Sequence, residues 1–172
     1  YLKNLKRKII EESNSSILYT ELGLHYNANS KYILAEIALK LAISYQLDNR
    51  KAYLALFNIL KDKGKNREAL ALMKKLLSIR HNCELAYLNI GGLLFSENQF
   101  SKAEIYTRKA ISINYHLEGA HYNLARILEA KGKLHEAQKE LVISIRLNKN
   151  FARAYYILST YKKHNLEQVF YD

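Results

Sequence analysis

The chain has 172 residues, 49% hydrophobic and 25% charged, which is the balance of a folded domain and excludes an intrinsically disordered one. One cysteine excludes an internal disulfide and cannot by itself make a zinc site, and no apolar run approaches the roughly 18 residues of a membrane span. The formal charge of +11 favours acidic partners or surfaces over basic ones.

Residues 1–15 place Leu2, Leu5 and Ile9 on one helical stripe, with Lys3, Lys6, Arg7 and Lys8 around the rest. These four cations interrupt any apolar core, so the segment does not read as a secretion signal, and we expect a cytoplasmic location. It reads as the second helix of a preceding unit in a longer protein, with a native polar cap as the alternative. Residues 16–49 pair a helix near Ile17–Ala28 with one near Tyr32–Tyr45, turning at Asn29-Ser30, where Ser30 is expected to cap the second helix. In residues 50–83, Gly64 separates helices over Tyr53–Asp62 and Arg67–Ile79. In residues 84–117 the break is Glu97-Asn98-Gln99, with Asn98 suited to a left-handed turn, and in 118–151 it is Gly132, after a helix running from Leu124 to Lys131. Residues 152–163 supply one further helix. Residues 164–172, with Leu166, Val169 and Phe170 on a short apolar face, form a tail or begin another.

These segments are one pattern repeated. Counting 34 positions from Ser16, Arg50, Glu84, Glu118 and Ala152, with no insertion or deletion, position 20 is Ala35, Ala69, Ala103 and Ala137. Position 4 is Tyr19, Tyr53, Tyr87, His121 and Tyr155, and position 7 is Leu22, Leu56, Ile90, Leu124 and Leu158. In residues 84–117 the full set is Tyr87, Ile90, Gly91, Leu94, Phe100, Ala103 and Ala110. This array resembles the tetratricopeptide repeat, whose 34-residue pattern puts an aromatic, Leu, Gly, Tyr, Ala, Phe and Ala at those steps. The resemblance implies an all-α, right-handed superhelical solenoid of antiparallel helix pairs, with full repeats at 16–49, 50–83, 84–117 and 118–151 and a partial one at 152–163. Small residues at positions 8 and 20 are expected to let paired helices approach closely; Phe57 and Ser159 depart from this at position 8, and Phe57 is expected to splay the second repeat. Position 32, where the family usually has Pro, is Leu47, His81, Tyr115 and Lys149, which leaves the helix junctions without a hard stop.

Enzymatic chemistry needs a constellation, and the chain shows none: no GxGxxG or GxxxxGK[ST] loop, no HExxH and no cysteine pair, so no cofactor and no metal is expected. Among the six histidines, His121 occupies the aromatic position 4 and is expected to pack in or beside the core. Carboxylates are expected on solvent faces, paired with lysines at helical spacing.

In the family that the chain resembles, the first helix of each repeat lines the concave side, and positions 2, 5, 6, 9, 12 and 13 face a groove. Carried over, this places Lys51, Asn58, Asn89, Asn123, Arg126, Arg153 and Tyr156 in the groove, with Phe95 and Tyr122 beside it. Asparagine amides offer donors and acceptors and can hold the backbone of an extended peptide. Asn89 and Asn123 share position 6, which is also a common consensus residue there. The family's chaperone-tail clamp is incomplete, because Leu54, Gly119 and Asn123 stand at positions where it needs Lys, Lys and Arg.

The charge is concentrated. The second repeat carries +7, from residues that include Lys61, Lys63, Lys65, Arg67, Lys74, Lys75 and Arg80, most of them in the turn and second helix. They read either as a solvated face or as a patch for an acidic partner or nucleic-acid backbone. The strict 34-residue period argues against helical repeats that read RNA base by base. The reading that follows is a binding scaffold for a peptide or partner protein, with self-association through the array ends as a further option. The alternatives are the targeting region of a larger glycosyl- or other group transferase, and a polyanion binder working through the second repeat.

Overall fold

The computed structural model describes residues 2–11 and 15–162; the segment 164–172, read above as a tail, lies outside the described residues. The described residues form ten α-helices and no strand: α1 (Leu2–Glu11), α2 (Ser16–Ala28), α3 (Tyr32–Tyr45), α4 (Arg50–Asp62), α5 (Asn66–Ile79), α6 (Glu84–Ser96), α7 (Phe100–Ile113), α8 (Glu118–Ala130), α9 (Leu134–Leu147) and α10 (Ala152–Lys162). None of these helices is long and apolar enough to cross a membrane. The chain divides into two compact units, Tyr1–Asn82 and Cys83–Asp172.

The turns inside the four complete pairs share one device. Ser30, Gly64, Asn98 and Gly132, each at repeat position 15, have φ of 58°, 71°, 58° and 76°. The next residue's N–H then reaches back to a carbonyl five residues earlier: Lys31 to Tyr26, Lys65 to Leu60, Gln99 to Leu94 and Lys133 to Leu128, all at 2.9 Å. This is the six-to-one bond that closes a helix C-terminus through a left-handed residue. Ser30 therefore does not cap α3. The N-cap residue is Lys31, which makes no side-chain capping bond, because position 15 must reverse the chain and Ser30 is committed to that conformation.

In the first unit, a polar knot sets where α2, α3 and α4 meet. Ser16 Oγ donates to the Ala42 carbonyl at 2.8 Å, and the Asn49 amide donates to Ser16 Oγ at 2.7 Å and Thr20 Oγ1 at 2.8 Å. The Asn49 side chain also accepts from the Ala52 N–H at 3.0 Å, capping α4. Leu5, Leu22 and Ala38 form a buried cluster with Leu2, Ile9, Leu18, Tyr19 and Tyr26 around it, so the stripe expected on α1 is the face it buries.

Close approach of α2 and α3 depends on Gly23, where a Cβ would lie 2.6 Å from Leu39 Cγ. Gly91 plays the same part between α6 and α7, its missing Cβ leaving room for Thr107 Oγ1. Phe57 stands at the corresponding place in the second repeat and is buried, and α4 and α5 make fewer close backbone approaches than the other complete pairs. In the second unit Leu124, Ala125, Leu128, Ala137, Leu141 and Ala154 make the core between α8, α9 and α10. Full burial of each such leucine contributes about 1.5–3 kcal/mol.

Candidate functional site: an open cleft on the second unit

Burying Ala120, Leu124, Ile127 and Leu128 orients α8. With those positions inside, Tyr122, Asn123 and Arg126 share another face, since residues three and four apart are neighbours on a helix. On α10, Ala154 is buried and Arg153 and Tyr156 are exposed, Tyr156 at 72%. Tyr122, Asn123 and Arg126 of α8, with Arg153, Tyr156 and Ile157 of α10, line one open cleft of about 660 Å³.

Arg126 is the fixed point of this surface. Its guanidinium carbon lies 4.5 Å from the centroid of the Phe95 ring on α6 and 5.8 Å from that of Tyr122. Tyr122 in turn packs edge-on against Phe151, centroids 5.1 Å apart. Each cation–π contact contributes about 0.5–2 kcal/mol, and two of them hold a long side chain that would otherwise be free. Asn123 stands next to Gly92 of α6, where an added Cβ would make ordinary contact with its Nδ2 at 3.6 Å. The lining carries two guanidinium groups and no carboxylate, so the cleft is electropositive while offering an amide and two phenols for hydrogen bonds.

Four of the seven residues expected in the groove thus come together, along with Tyr122, expected beside it. The other three stand elsewhere. Lys51 and Asn58 are exposed on α4 in the first unit, and Asn89 is half-buried on α6; none of them lines this cleft. Phe95 and Phe151 hold Arg126 and Tyr122 in place. Phe95 was expected beside the groove from the repeat; its contact with Arg126 was not legible there.

The basic second repeat is partly neutralised within the first unit. Lys63 lies 2.9 Å from Glu36, Lys65 3.1 Å from Glu68 and Arg80 2.8 Å from Asp48, while Lys61 comes only to 4.0 Å from Asp62. Arg67, Lys74 and Lys75 are exposed. Glu36 is also 2.7 Å from Lys40, and hydrogen bonds from Lys40 and Lys63 hold its carboxyl well below the usual carboxylate range, at about 2. Glu104 is its counterpart in the second unit, 2.9 Å from Arg108 and 2.6 Å from Lys131, and is likewise held low, chiefly by Lys131. Pairing at helical spacing is therefore only half of the arrangement; the other partner comes from the next repeat.

His121 is buried and doubly held. Its Nδ1 is 2.6 Å from Glu140 Oε2 and its Nε2 2.9 Å from the Tyr115 carbonyl, with the Tyr115 ring edge-on at 4.9 Å. Both partners are acceptors, so the ring is best satisfied as the doubly protonated imidazolium. Burial opposes that charge, but Glu140 and the Tyr115 carbonyl outweigh it and raise the pKa above the ordinary histidine value. Among the described residues no group of three or more His, Cys, Asp or Glu is placed to hold a metal ion.

Paired helices repeated at a fixed period, with first-helix side chains around an open cleft, define a helical-repeat protein. The family model described as tetratricopeptide repeat matches residues 85–116 and 118–151, and the chain carries repeats of that family. Solved structures share the fold. A MamA protein structure is similar at 21% identity and a TM-score of 0.70, over 86% of this chain and 81% of that one. YrrB, described as a TPR protein with an unusual peptide-binding site, is similar at 19% identity and a TM-score of 0.70, over 92% and 82%. TTC0263, a thermophilic TPR protein of Thermus thermophilus, is similar at 15% identity and a TM-score of 0.75, over 92% and 87%. No curated protein matches the sequence.

Proposed function

We propose that the protein is a non-catalytic scaffold that holds an extended, acidic peptide segment of a partner protein in the cleft of its second unit. The observation that carries this reading is the convergence of Tyr122, Asn123, Arg126, Arg153 and Tyr156 on one open surface with two guanidinium groups and no carboxylate. Arg126, held between two rings, gives a carboxylate of the ligand a donor that is already ordered, and ordering in advance is what makes binding by a shallow surface affordable. Asn123 serves the ligand backbone. Tyr156, largely uncovered, supplies apolar contact area of the kind that dominates binding energy. A peptide-binding site in the structurally similar YrrB supports the class of ligand. A reducing cytoplasmic setting suits the single Cys83, which is free and buried.

The test is selection of binding sequences from a random dodecapeptide library, against the wild-type chain and an Arg126→Glu/Arg153→Glu variant in parallel. Enrichment of Asp- and Glu-containing peptides that the variant does not retain is the expected result. Peptides without acidic residues, or equal retention by both proteins, would overturn the reading.

A further inference from the structure

In the first unit, α3 is apolar on both of its faces. Ala35, Ala38, Leu39, Ala42 and Ile43 are buried, while Ile33, Leu34, Ile37 and Leu41 stand outward at 72%, 44%, 52% and 37% exposure. Residues three and four apart are neighbours on a helix, so these four form one stripe, and it runs about 12 Å along the axis. A helix that is apolar all round is ordinarily covered on both sides.

The other repeats show that the array does not need this stripe. Where α3 has Ile33, the second helices of the later repeats have Arg67, Ser101 and His135, and where it has Leu34 they have Glu68, Lys102 and Glu136. At the positions of Ile37 and Leu41 a large aliphatic recurs once each, as Ile105 in α7 and Ile143 in α9, and never twice in one helix. The stripe is therefore peculiar to α3, and its use lies outside the packing of the repeats. Contiguous exposed apolar surface of this kind marks a contact with a partner or a membrane.

Cations flank the stripe on both sides. On one, Ala38 packs with Leu5 of α1, whose Lys3, Lys6 and Lys8 are exposed. On the other, Lys40 and Ser44 line a cleft toward α5 together with Lys75. The carboxylates of α3 and α5 are Glu36 and Glu68, and lysines already neutralise both: Lys40 and Lys63 lie 2.7 and 2.9 Å from Glu36, and Lys65 lies 3.1 Å from Glu68. Residues 1–82 carry 15 Lys and Arg against 7 Asp and Glu. A second copy of the chain would bring the same positive excess to this face, so complementarity asks for an anionic occupant.

Shape decides which kind. The stripe is the crest of a helix, and none of its four residues lines the cleft between α3 and α5. A protein partner would have to supply a groove to bury a crest, whereas the interface of a bilayer closes around an apolar ridge and leaves the flanking cations among its headgroups. We propose that the outer face of the first unit is a peripheral docking surface for an anionic lipid bilayer. Ile33, Leu34, Ile37 and Leu41 enter the boundary between headgroups and acyl chains, and Lys40, Lys75 and the α1 lysines meet the acidic headgroups. This surface is independent of the peptide cleft, which lies in the other unit.

The chain has no tryptophan, so Ile37→Trp places a single fluorescent reporter in the stripe. Vesicles of phosphatidylcholine with about 30% phosphatidylserine are the probe. On their addition the Ile37→Trp emission should shift to the blue and be quenched by brominated acyl chains. Ile105→Trp, at the same repeat position in α7 and 67% exposed, should not respond. In co-sedimentation the wild type should bind these vesicles roughly tenfold more tightly than vesicles of phosphatidylcholine alone. Ile33→Gln/Ile37→Gln, which alters exposed positions and should leave the melting temperature unchanged, should weaken binding roughly tenfold, and Lys6→Glu/Lys8→Glu by a similar factor. Binding that ignores Ile33→Gln/Ile37→Gln, a reporter that stays in water, or equal binding to neutral vesicles would overturn the proposal. So would a dimer in vesicle-free solution, seen by sedimentation equilibrium and lost in that same variant, since a second copy would then cover the stripe.

Discussion

The Lys63 ammonium lies 2.9 Å from the Glu36 carboxylate, and 68 residues later Lys131 lies 2.6 Å from Glu104 with the same separation of 27 in sequence. In each case the lysine follows the first helix of one repeat, and the carboxylate sits on the second helix of the repeat before it, also held by a cation four residues on. Both carboxylates are largely shielded, at 13% and 15% exposure, so these pairs act in a less screened setting than an ordinary surface bridge.

The Glu36 cluster has a defined pH signature. A carboxyl held at about 2 when folded, against an ordinary value near 4.5, stabilises the fold above the unfolded pKa. That stabilisation is lost as pH falls from about 4.5 toward 2, and its size is on the order of 3 kcal/mol. Glu36→Gln should lower the urea midpoint at pH 7 and flatten its fall over that acid range. An unchanged midpoint at pH 7 would mean that the pairing with Lys40 and Lys63 does not stabilise the unit.

His121 gives the opposite slope. Its folded pKa is raised, so its contribution is complete below the ordinary histidine value of about 6.5 and is lost as pH climbs through the folded pKa. Urea midpoints taken between about pH 6 and 9 should fall with rising pH in the wild type and much less in Glu140→Gln. At about pH 6, His121→Phe should cost about 1–3 kcal/mol, because Glu140 and the Tyr115 carbonyl lose their donor.

Thr107 and Gly91 form a packing pair that a double-mutant cycle can isolate. A methyl group at Gly91 meets Thr107 Oγ1, so Gly91→Ala should destabilise by about 1–3 kcal/mol. Thr107→Ala in the same chain should recover most of that loss, since the space then exists. Thr107→Val should be neutral or raise the melting temperature, because the Thr107 hydroxyl is buried without a hydrogen-bond partner.

What could be read from the chain, and what could not, divides along a physical line. The helix pairs and the close approaches at Gly23 and Gly91 were legible because they rest on residue size at a fixed period, and period survives in one dimension. Asn98, Gly64 and Gly132 announced their left-handed turns, since those residue types tolerate positive φ; Ser30 did not, and only its shared position 15 with the other three explains it. The cross-repeat pairs of Glu36 with Lys63 and Glu104 with Lys131 were missed because helical spacing describes one helix and these join two. The His121–Glu140 pair left a faint trace, a histidine at position 4 and a glutamate where the third repeat has Tyr106, which packs on Tyr87 with ring centroids 6.1 Å apart. Tyr122, Asn123, Arg126, Arg153 and Tyr156 share one cleft, but the repeat alone did not single out α8 and α10 as the helices whose side chains meet there.

Amide shift mapping with a library-selected dodecapeptide shows directly whether α8 and α10 grip an acidic peptide. Shifts should cluster on Tyr122, Asn123, Arg126, Arg153 and Tyr156, persist at about 0.5 M salt in weakened form, and vanish in an Asn123→Ala/Tyr156→Ala variant that remains folded; salt weakens the charge contacts but leaves the aromatic ones. Shifts that fall instead on Arg67, Lys74 and Lys75, disappear with salt and ignore that variant would contradict that grip.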